Sequence, residues 1–423
     1  MIIKTLNQYK EVCAKALSSN ANLNKSFKSF FSELMILLMI IPQKMNFLQF
    51  ARYGNSCESR FRMNFCKSFN WIEYNAYFTK GREDHLTAIA IDPSYIPKSG
   101  KMTPGISYFW SGCASSMKRG LEILGIALVD ATTNEAIHLR SVQTFVDKVR
   151  GRKPKCVVHM EDKNSLIAKY LLALNKYRNQ LLSISQRIVA DAYFSKESFV
   201  TGAICLGFNV ISRFRDDVRL LYLFNGPKTG KRGRPKMYAG KVNLKELDLQ
   251  IFIQEETTVD SNKTVTLFSA VVHAVALKRN IKVVIVDCED ENKKTQVRKV
   301  FFSTDTSMTA SEIFFTYKSR FQIEFLYRDA KNYTGLTHCQ AREKKKLDFH
   351  FNASLTAVNV AHTFCKNYAK ENGIEISVSS AKVLLHNATL IKRIISMSGK
   401  SPNMKLNNTI FKELVMYGVK DAA

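Results

Sequence analysis

The sequence predicts an α/β protein built on a mixed β-sheet, and three observations support this fold class. The 423 residues are 46% hydrophobic and 11% aromatic, which is the composition of a folded chain with a sizeable core. Short apolar runs bounded by turn residues recur from residue 85 onward, as in buried strands. Helical segments separate the later runs, which is the pattern of an α/β sheet.

The predicted elements between residues 85 and 214 follow a defined order. Three strands come first, then a helix, a strand, a helix and a strand: LTAIAID (86–92), LEILGIALVD (121–130), EAIHLRSV (135–142), a helix over 161–182, QRIVADAYF (186–194), SKESFVTGAICLG (195–207) and FNVISRF (208–214). This order predicts a ribonuclease-H-like mixed sheet. Ser195 is the expected cap of the second helix.

Residues 1–80 are predicted to form a helical N-terminal DNA-binding domain. One short helix is expected from about Met45 to Tyr53, ended by Gly54 in the left-handed conformation. Asn55 is expected to cap a second, basic helix, with Glu58 at the capping-box position. Two helices joined by a tight turn indicate a helix-turn-helix-like arrangement, and a purely structural helical hairpin is the alternative.

The rest of the chain is divided into segments by their residue composition and hydrophobic pattern. Residues 81–213 and 304–370 are assigned to the ribonuclease-H-like catalytic domain, and 214–303 to a β-rich insertion with a Gly-, Pro- and Lys-rich start. The weakly patterned C-terminal region, 371–423, is a candidate for dimerisation.

The charge balance predicts a polyanionic partner. Lys and Arg number 63 against 36 Asp and Glu, a net charge of +27, and double-stranded DNA is the first candidate. No basic amphipathic anchor is found, and the apolar run at 34–41 is too short to span a bilayer, so no membrane partner is expected. Nine scattered cysteines without a C-x-x-C pair fit a reducing cytoplasm.

Two aspartates are predicted to end apolar strands. Asp92 follows AIAI and Asp191 follows IVA, and ligands of α/β sheets bind beyond strand ends. Carboxylates from separate elements can hold the hard cation that phosphodiester chemistry needs. The alternative is that each aspartate is a turn former.

One further segment, 317–331, combines a dense apolar face with charges. On a single helix, Arg320, Glu324, Arg328 and Lys331 would form one stripe headed by Tyr317. The alternative is an exposed helix with ordinary ion pairs four residues apart.

The same segment carries a family resemblance. Tyr317, Arg320, Glu324 and Lys331 match the spacing Y-x2-R-x3-E-x6-K, and AIDPSYIPKSGK and VADAYFSKESF contain the two aspartates. In these features the chain resembles the DDE transposases of bacterial insertion sequences, in the Tyr-Arg-Glu-Lys group (insertion-sequence-four type). The resemblance covers roughly residues 85 to 345, and the group places a β-rich insertion before its glutamate.

The resemblance implies a metal site and DNA contacts. Asp92, Asp191 and Glu324 would be the catalytic residues and the ligands of Mg²⁺, for which Mn²⁺ can substitute. Of the other signature positions, Arg320 and Lys331 would bind phosphates of the element ends.

Further DNA contacts rest on weaker signals. By resemblance Tyr317 would contact the flipped or terminal nucleotide, and Arg328 is suggested as a phosphate contact because it lies on the same stripe. Arg232 and Arg234 lie in KRGRPK, which has the Gly-Arg-Pro core of minor-groove hooks, with a solvated loop as the alternative. Lys98 and Lys101 lie in a glycine-rich connection beside Asp92, where the alternative is a simple hairpin loop with Trp110 in the core.

The expected function is therefore a metal-dependent DNA transposase, with endonuclease and strand-transfer activities. It would bind terminal inverted repeats, cleave the element ends and join the 3′-hydroxyl ends to target DNA. The resemblance also implies a homodimer in the synaptic complex, a hairpin intermediate and a bacterial, nucleoid-associated location. The alternatives are a ribonuclease-H-like resolvase or nuclease without strand transfer, and an inactive DNA-binding derivative.

Overall fold

A computed structural model describes residues 2–18, 23–100, 102–145, 165–227, 235–260, 263–290, 295–398 and 404–420. Its centre is a twelve-stranded mixed sheet, with a hydrophobic core on each face. The predicted α/β class is therefore confirmed. No helix in these ranges is long and apolar enough to cross a membrane.

The N-terminal region is helical, as predicted. Its helices are α1 (Ile2–Ser18), α2 (Lys25–Ile40), α3 (Phe47–Tyr53), α4 (Glu58–Asn64) and α5 (Trp71–Ala76). Their aromatic side chains pack against Phe349, whose ring lies 4.7 Å from Phe65 and 5.0 Å from Trp71. These helices thus share a core with a later helix, and their predicted role in DNA binding stays a prediction.

The turn between α3 and α4 differs from expectation. Gly54 has an extended conformation, φ −91° and ψ −173°, and α4 begins after Cys57 without a side-chain cap. The glycine is needed for space, because a Cβ would lie 2.6 Å from the carbonyl oxygen of Phe50 and 2.8 Å from Oε1 of Glu33. The Glu33 carboxylate accepts from the backbone N–H of Asn55, so Asn55 belongs to a turn fixed by a distant side chain and does not cap α4.

The first half of the sheet has the predicted order. Its elements are β1 (Thr87–Pro97), β2 (Ser107–Ser111), β3 (Ser116–Asp130), β4 (Glu135–Gln143), α6 (Leu166–Lys176), α7 (Arg178–Leu182), β5 (Arg187–Val189), α8 (Glu197–Cys205) and β6 (Asn209–Arg213). Strand β1 pairs antiparallel with β3, which pairs antiparallel with β4, while β1, β5 and β6 run parallel. The arrangement β4-β3-β1-β5-β6 is consistent with a ribonuclease-H-like sheet.

Two local details of this half were not predicted. Strand β2 adds to the outer side of β3. The predicted cap of α8 is also wrong: the N-cap is Lys196, without a side-chain bond. Ser195 instead donates to the carbonyl of Ala192, because residues 192–194 form a short 3₁₀ turn that uses this hydroxyl.

The insertion extends the same sheet. Its strands are β7 (Leu220–Leu223), β8 (Tyr238–Lys241), β9 (Ile253–Asp260), β10 (Lys263–Ala274), β11 (Arg279–Asp290) and β12 (Thr295–Ser303). Strand β12 pairs antiparallel with β6, and β11, β10, β7 and β8 follow outward. The residues predicted to be β-rich are therefore β-rich, while the proposed domain boundaries stay predictions.

Five helices complete the described chain: α9 (Ala310–Ser319), α10 (Gln322–Tyr333), α11 (Lys344–Asn372), α12 (Val378–Ser398) and α13 (Met404–Met416). The buried helix α11 lies against β4, and α12 packs on α1 and α2. The C-terminal region, expected to be weakly patterned, thus contributes two helices.

The predicted single helix over 317–331 is wrong. Helix α9 ends at Ser319 and α10 starts at Gln322, with N–H groups at the junction bonding to carbonyls three residues back, as from Arg320 to Tyr317 and from Glu324 to Phe321. Such 3₁₀ bonding winds tighter than an α-helix. Positions calculated at 100° per residue therefore do not apply across the junction.

Candidate active site

Strand register brings the two aspartates to the same level of the sheet. The parallel pairing of β1 with β5 sets Ala90 opposite Val189. Two residues further along each chain stand Asp92 and Asp191, at the point where β5 has ended. Crevices at the carboxyl ends of parallel strands are where ligands bind, and both acids lie beside the end of β5.

The predicted strand end at Asp92 is wrong, because β1 continues to Pro97. Pro93 is tolerated within the strand since β5 ends at Val189 and leaves this part of β1 without a partner on that side. A proline costs a sheet little where the missing N–H would face no neighbouring strand. Asp92 is therefore held by a continuous ladder to β3.

Asp191 is fixed by local hydrogen bonds. Its carboxylate accepts from the backbone N–H of Tyr193 at 3.0 Å, which makes it the N-cap of the following 3₁₀ turn. Its carbonyl accepts from the hydroxyl of Ser212 on β6 at 2.9 Å. The turn former and the candidate ligand are thus the same residue, and one carboxylate oxygen has no part in the capping bond.

The guanidinium of Arg320 lies between two of the acids. It donates to Oε1 of Glu324 at 3.1 Å, and its Nη1 is 4.0 Å from Oδ1 of Asp92. The side chain is only 13% exposed, and its Nε is buried without a hydrogen-bond partner among the described residues. Arg320 therefore bridges α10 and β1.

The charges of Asp191 and Glu324 both reach the carboxyl group of Asp92. Burial raises the pKa of Asp92 to about 7, Arg320 and Lys331 pull it down, and the charges of Asp191 and Glu324 push it up. Carboxylates that repel one another in a partly dry crevice favour a bound cation or a proton. Asp92 is therefore the acid that both of the other predicted ligands influence, Asp191 from the neighbouring strand and Glu324 through the shared Arg320.

Replacing Asp92 by asparagine should stabilise the metal-free protein increasingly as pH rises. The folded state holds the Asp92 proton with a pKa raised from 3.8 to about 7, so its free energy of unfolding falls across this window. We expect the Tm difference between Asp92→Asn and wild type to grow from about pH 4 to about pH 7 in chelator and to level off above that. Asp216→Asn, at an exposed position, is the control, and a pH-independent difference would contradict the assignment.

The three acids offer the ligand type of a metal site without its spacing. In the described part of the chain, no three His, Cys, Asp or Glu side chains stand close enough to hold one. The chemistry of Asp92, Asp191 and Glu324 nevertheless fits a hard cation, since all three offer carboxylate oxygens. The Arg320 guanidinium supplies positive charge between two of them, so a cation would replace it rather than add to it.

Two side chains of α10 connect the site to β1. Tyr327 donates to the carbonyl of Asp92 at 2.7 Å, and Lys331 donates to the hydroxyl of Ser94 at 3.0 Å. Across the ladder from Asp92 stands Gly125, over which the Tyr327 hydroxyl lies. Sequence reasoning missed this contact, although a glycine inside a strand signals the close approach of another group.

Tyr317 packs at the sheet side of the junction. Its half-buried ring lies 4.8 Å from Phe301, with the Arg320 guanidinium 5.8 Å from its centre. Burial raises the pKa of Tyr317, whereas the charges of Arg320 and Arg213 lower it. Arg213 at the end of β6 was also missed by the sequence reasoning, since it lies in no recognisable pattern.

The remaining predicted DNA contacts are spread more widely. Arg328 is 58% exposed and donates to Asp329 at 3.2 Å, on a different part of α10 from the Arg320 bridge. Lys98 donates to the carbonyl of Cys339, and burial lowers the pKa of Lys98. The last three candidates lie outside the described residues: Lys101, Arg232 and Arg234.

Comparisons with known proteins bear on the first half of this site. Among solved structures, the chain is similar to a piggyBac transposase synaptic complex with hairpin DNA, at 11% identity and a TM-score of 0.37, over 99% of this chain and 85% of that chain. No curated protein matches it. Residues 79–268 match the family model of the DDE superfamily endonucleases. The part of the chain that holds Asp92 and Asp191 is therefore similar to a DDE superfamily endonuclease.

Proposed function

We propose that the chain is a cut-and-paste DNA transposase of the DDE type, in the Tyr-Arg-Glu-Lys group. It binds terminal inverted repeats, cleaves DNA at the element ends and joins the 3′-hydroxyl ends to target DNA with Mg²⁺. The observation that carries the proposal is the strand register that sets Asp92 beside Asp191 at the end of β5, with Arg320 linking Asp92 to Glu324. The match to DDE superfamily endonucleases supports the nuclease part.

The three carboxylates would hold the cation on the DNA-facing side of the sheet. Mg²⁺ bound there supplies positive charge to the phosphate and acidifies the attacking water. Each carboxylate comes from a different element, so their spacing depends on how firmly α10 is attached to β1. Tyr327 and Lys331 provide that attachment.

Arg320 would change partners when DNA arrives. Its guanidinium now lies within 4.0 Å of Asp92 and binds Glu324, and a planar guanidinium matches a phosphate as well as a carboxylate. Transfer to a DNA phosphate would free both acids for the cation. Arg213 and Lys331 would add positive charge, and the ring of Tyr317 offers a surface for an unstacked nucleotide.

The chemistry consists of two in-line displacements at phosphorus. In cleavage, water oxygen forms the new P–O bond and the DNA 3′-oxygen leaves with a proton as a hydroxyl. In strand transfer, that hydroxyl oxygen attacks a target phosphodiester and displaces its 3′-oxygen.

We further infer a homodimer in the synaptic complex and action on nucleoid DNA in a bacterial cytoplasm.

Incubating the purified protein with its own flanking element ends, a target plasmid and Mg²⁺ tests the proposal. Labelled ends joined to the plasmid are the expected product, and Glu324→Gln protein is the control. Ends that are cut but never joined would identify a resolvase or nuclease without strand transfer. Binding without any cutting would identify an inactive DNA-binding derivative.

A further inference from the structure

A cleft of about 540 Å³ lies among the helices at the two ends of the chain. Helices α1, α2 and α12 and the connection between α3 and α4 line it. None of the predicted metal ligands or signature residues lines this cleft. Its floor is apolar, and the floor residues Leu37 and Ile40 are 2% and 3% exposed.

The cleft is lined by cationic side chains from both the N-terminal and the C-terminal helices. Lys10 projects from α1, and Lys392 and Arg393 project from α12. None of the three forms an ion pair within the described ranges. Burial lowers the pKa of Lys10, and the charge of Lys392 lowers it further, so the two ammonium groups lie near each other. Folding thus brings together like charges that are 382 residues apart, counted as 392 − 10.

The one carboxylate that lines the cleft does not neutralise this charge. Glu33 accepts from the backbone N–H groups of Asn55 at 2.7 Å and Ser56 at 3.0 Å, which fix the turn after α3. Arg60, a fourth cation of the lining, lies 3.9 Å from the same carboxylate. The Glu33 charge is therefore used within the wall of the cleft, and the three remaining cations have no counterion among the residues that the structure describes.

Hydroxyl groups line the cleft together with the cations. They are those of Ser29, Ser32, Ser56, Thr389 and Ser396. Lys and Arg together with Ser and Thr are the side chains that contact the phosphates and sugars of DNA. An anionic bilayer is a poorer match, because the apolar residues lie on a buried floor and not on an exposed rim.

We propose that this cleft binds the sugar–phosphate backbone of duplex DNA, as a second DNA-binding surface apart from the carboxylate site. The proposal rests on the proposed DNA partner and assigns it a contact made jointly by the N-terminal and C-terminal helices. The cleft would hold the duplex without reading its sequence, since phosphate contacts carry no base information.

Two variants that each lose three charges test the proposal. The cleft variant is K10Q/K392Q/R393Q, and the matched control is K15Q/K370Q/K412Q, whose lysines are exposed on α1, α11 and α13 away from the cleft. Each phosphate contact contributes about 0.9 to the slope of log K against log salt. The cleft variant should lower this slope by about 2 to 3, while the control stays near wild type. Equal slopes for the two variants would overturn the proposal.

Further measurements distinguish this proposal from misfolding of the variants, from failure of the catalytic proposal and from lipid binding. Thermal unfolding checks that both triple variants fold. If the cleft variant does not fold, Lys392→Gln alone should lower the slope by about 0.9. Single-turnover cleavage by saturating cleft variant should match wild type, so a failure of the cleft leaves the catalytic proposal standing. Lost binding to phosphatidylserine vesicles with an unchanged DNA slope would identify a lipid surface and overturn the proposal.

Discussion

Replacing Glu324 by glutamine should reduce strand cleavage by orders of magnitude while DNA binding persists. The substitution keeps the shape of the side chain and removes one of the charges that raise the pKa of Asp92. The cation would lose a ligand, and the charge that develops on phosphorus would lose its stabilisation. Binding should hold or tighten, because Arg320 keeps only a neutral amide oxygen in place of the carboxylate at 3.1 Å and is more readily available to a phosphate.

Glu371→Gln is a matched control for this experiment. Glu371 is 43% exposed and pairs with Lys4 at 2.9 Å, whereas Glu324 is 42% exposed and pairs with Arg320 at 3.1 Å. Both substitutions therefore remove an equally exposed, ion-paired carboxylate, and only one of them lies at the proposed site. Cleavage and gel shifts on one labelled end measure both properties.

The aspartates extend the same test. Asp92→Asn and Asp191→Asn should share the phenotype of Glu324→Gln, because a single cation site needs all of its ligands. If Glu324→Gln cuts at a near wild-type rate, Glu324 is an ordinary surface partner of Arg320, as in the alternative of helical ion pairs.

The order of strands was predictable because each buried strand appears in the sequence as a run of apolar residues. Each of the five strands predicted in the first half is a short, largely apolar stretch, and the connections between them leave few possible topologies. The position of Asp191 followed from its strand. The position of Asp92 was predicted for the wrong reason, since Pro93 read as a terminator while the early end of β5 removes its cost.

The junction between α9 and α10 could not be predicted in the same way. Neither proline nor glycine marks Arg320 or Phe321, and the tighter bonding there is compatible with any helical residue. The spacing of the signature survives, but its geometry does not: Tyr317 lies on one helix and Glu324 on the next. Arg320 reaches both Asp92 and Glu324 because it stands at the junction.

The contact between Gly125 and Tyr327 is the least visible in the sequence and carries the second large prediction. Gly125→Ala should reduce cleavage by about 100-fold or more, since a shift of about 1 Å can cost that much in rate. A Cβ at this position would overlap the Tyr327 hydroxyl and lie 2.8 Å from its Cζ. Tyr327 cannot turn away, because its ring is 4% exposed and its hydroxyl is bonded to Asp92.

The alanine must therefore push α10 as a unit, with Glu324 one turn before Tyr327 and Lys331 one turn after it. Overpacking of this kind costs about 1–3 kcal/mol of stability. Gly112→Ala is the control, since a Cβ there meets nothing within 4 Å. Urea unfolding and single-turnover cleavage measure the two effects.

A double mutant separates this displacement from a general loss of stability. Tyr327→Phe removes the overlapping hydroxyl and one hydrogen bond, at a cost of about 1 kcal/mol. In that background Gly125→Ala has less to displace, so its cost in stability and in cleavage should be smaller than in wild type, a coupling of about 1 kcal/mol or more. Loss of the Tyr327 hydroxyl would then partly restore the stability and the cleavage rate that Gly125→Ala reduces. Strictly additive effects would mean that Gly125 acts on the strand alone and that α10 is not positioned through Tyr327.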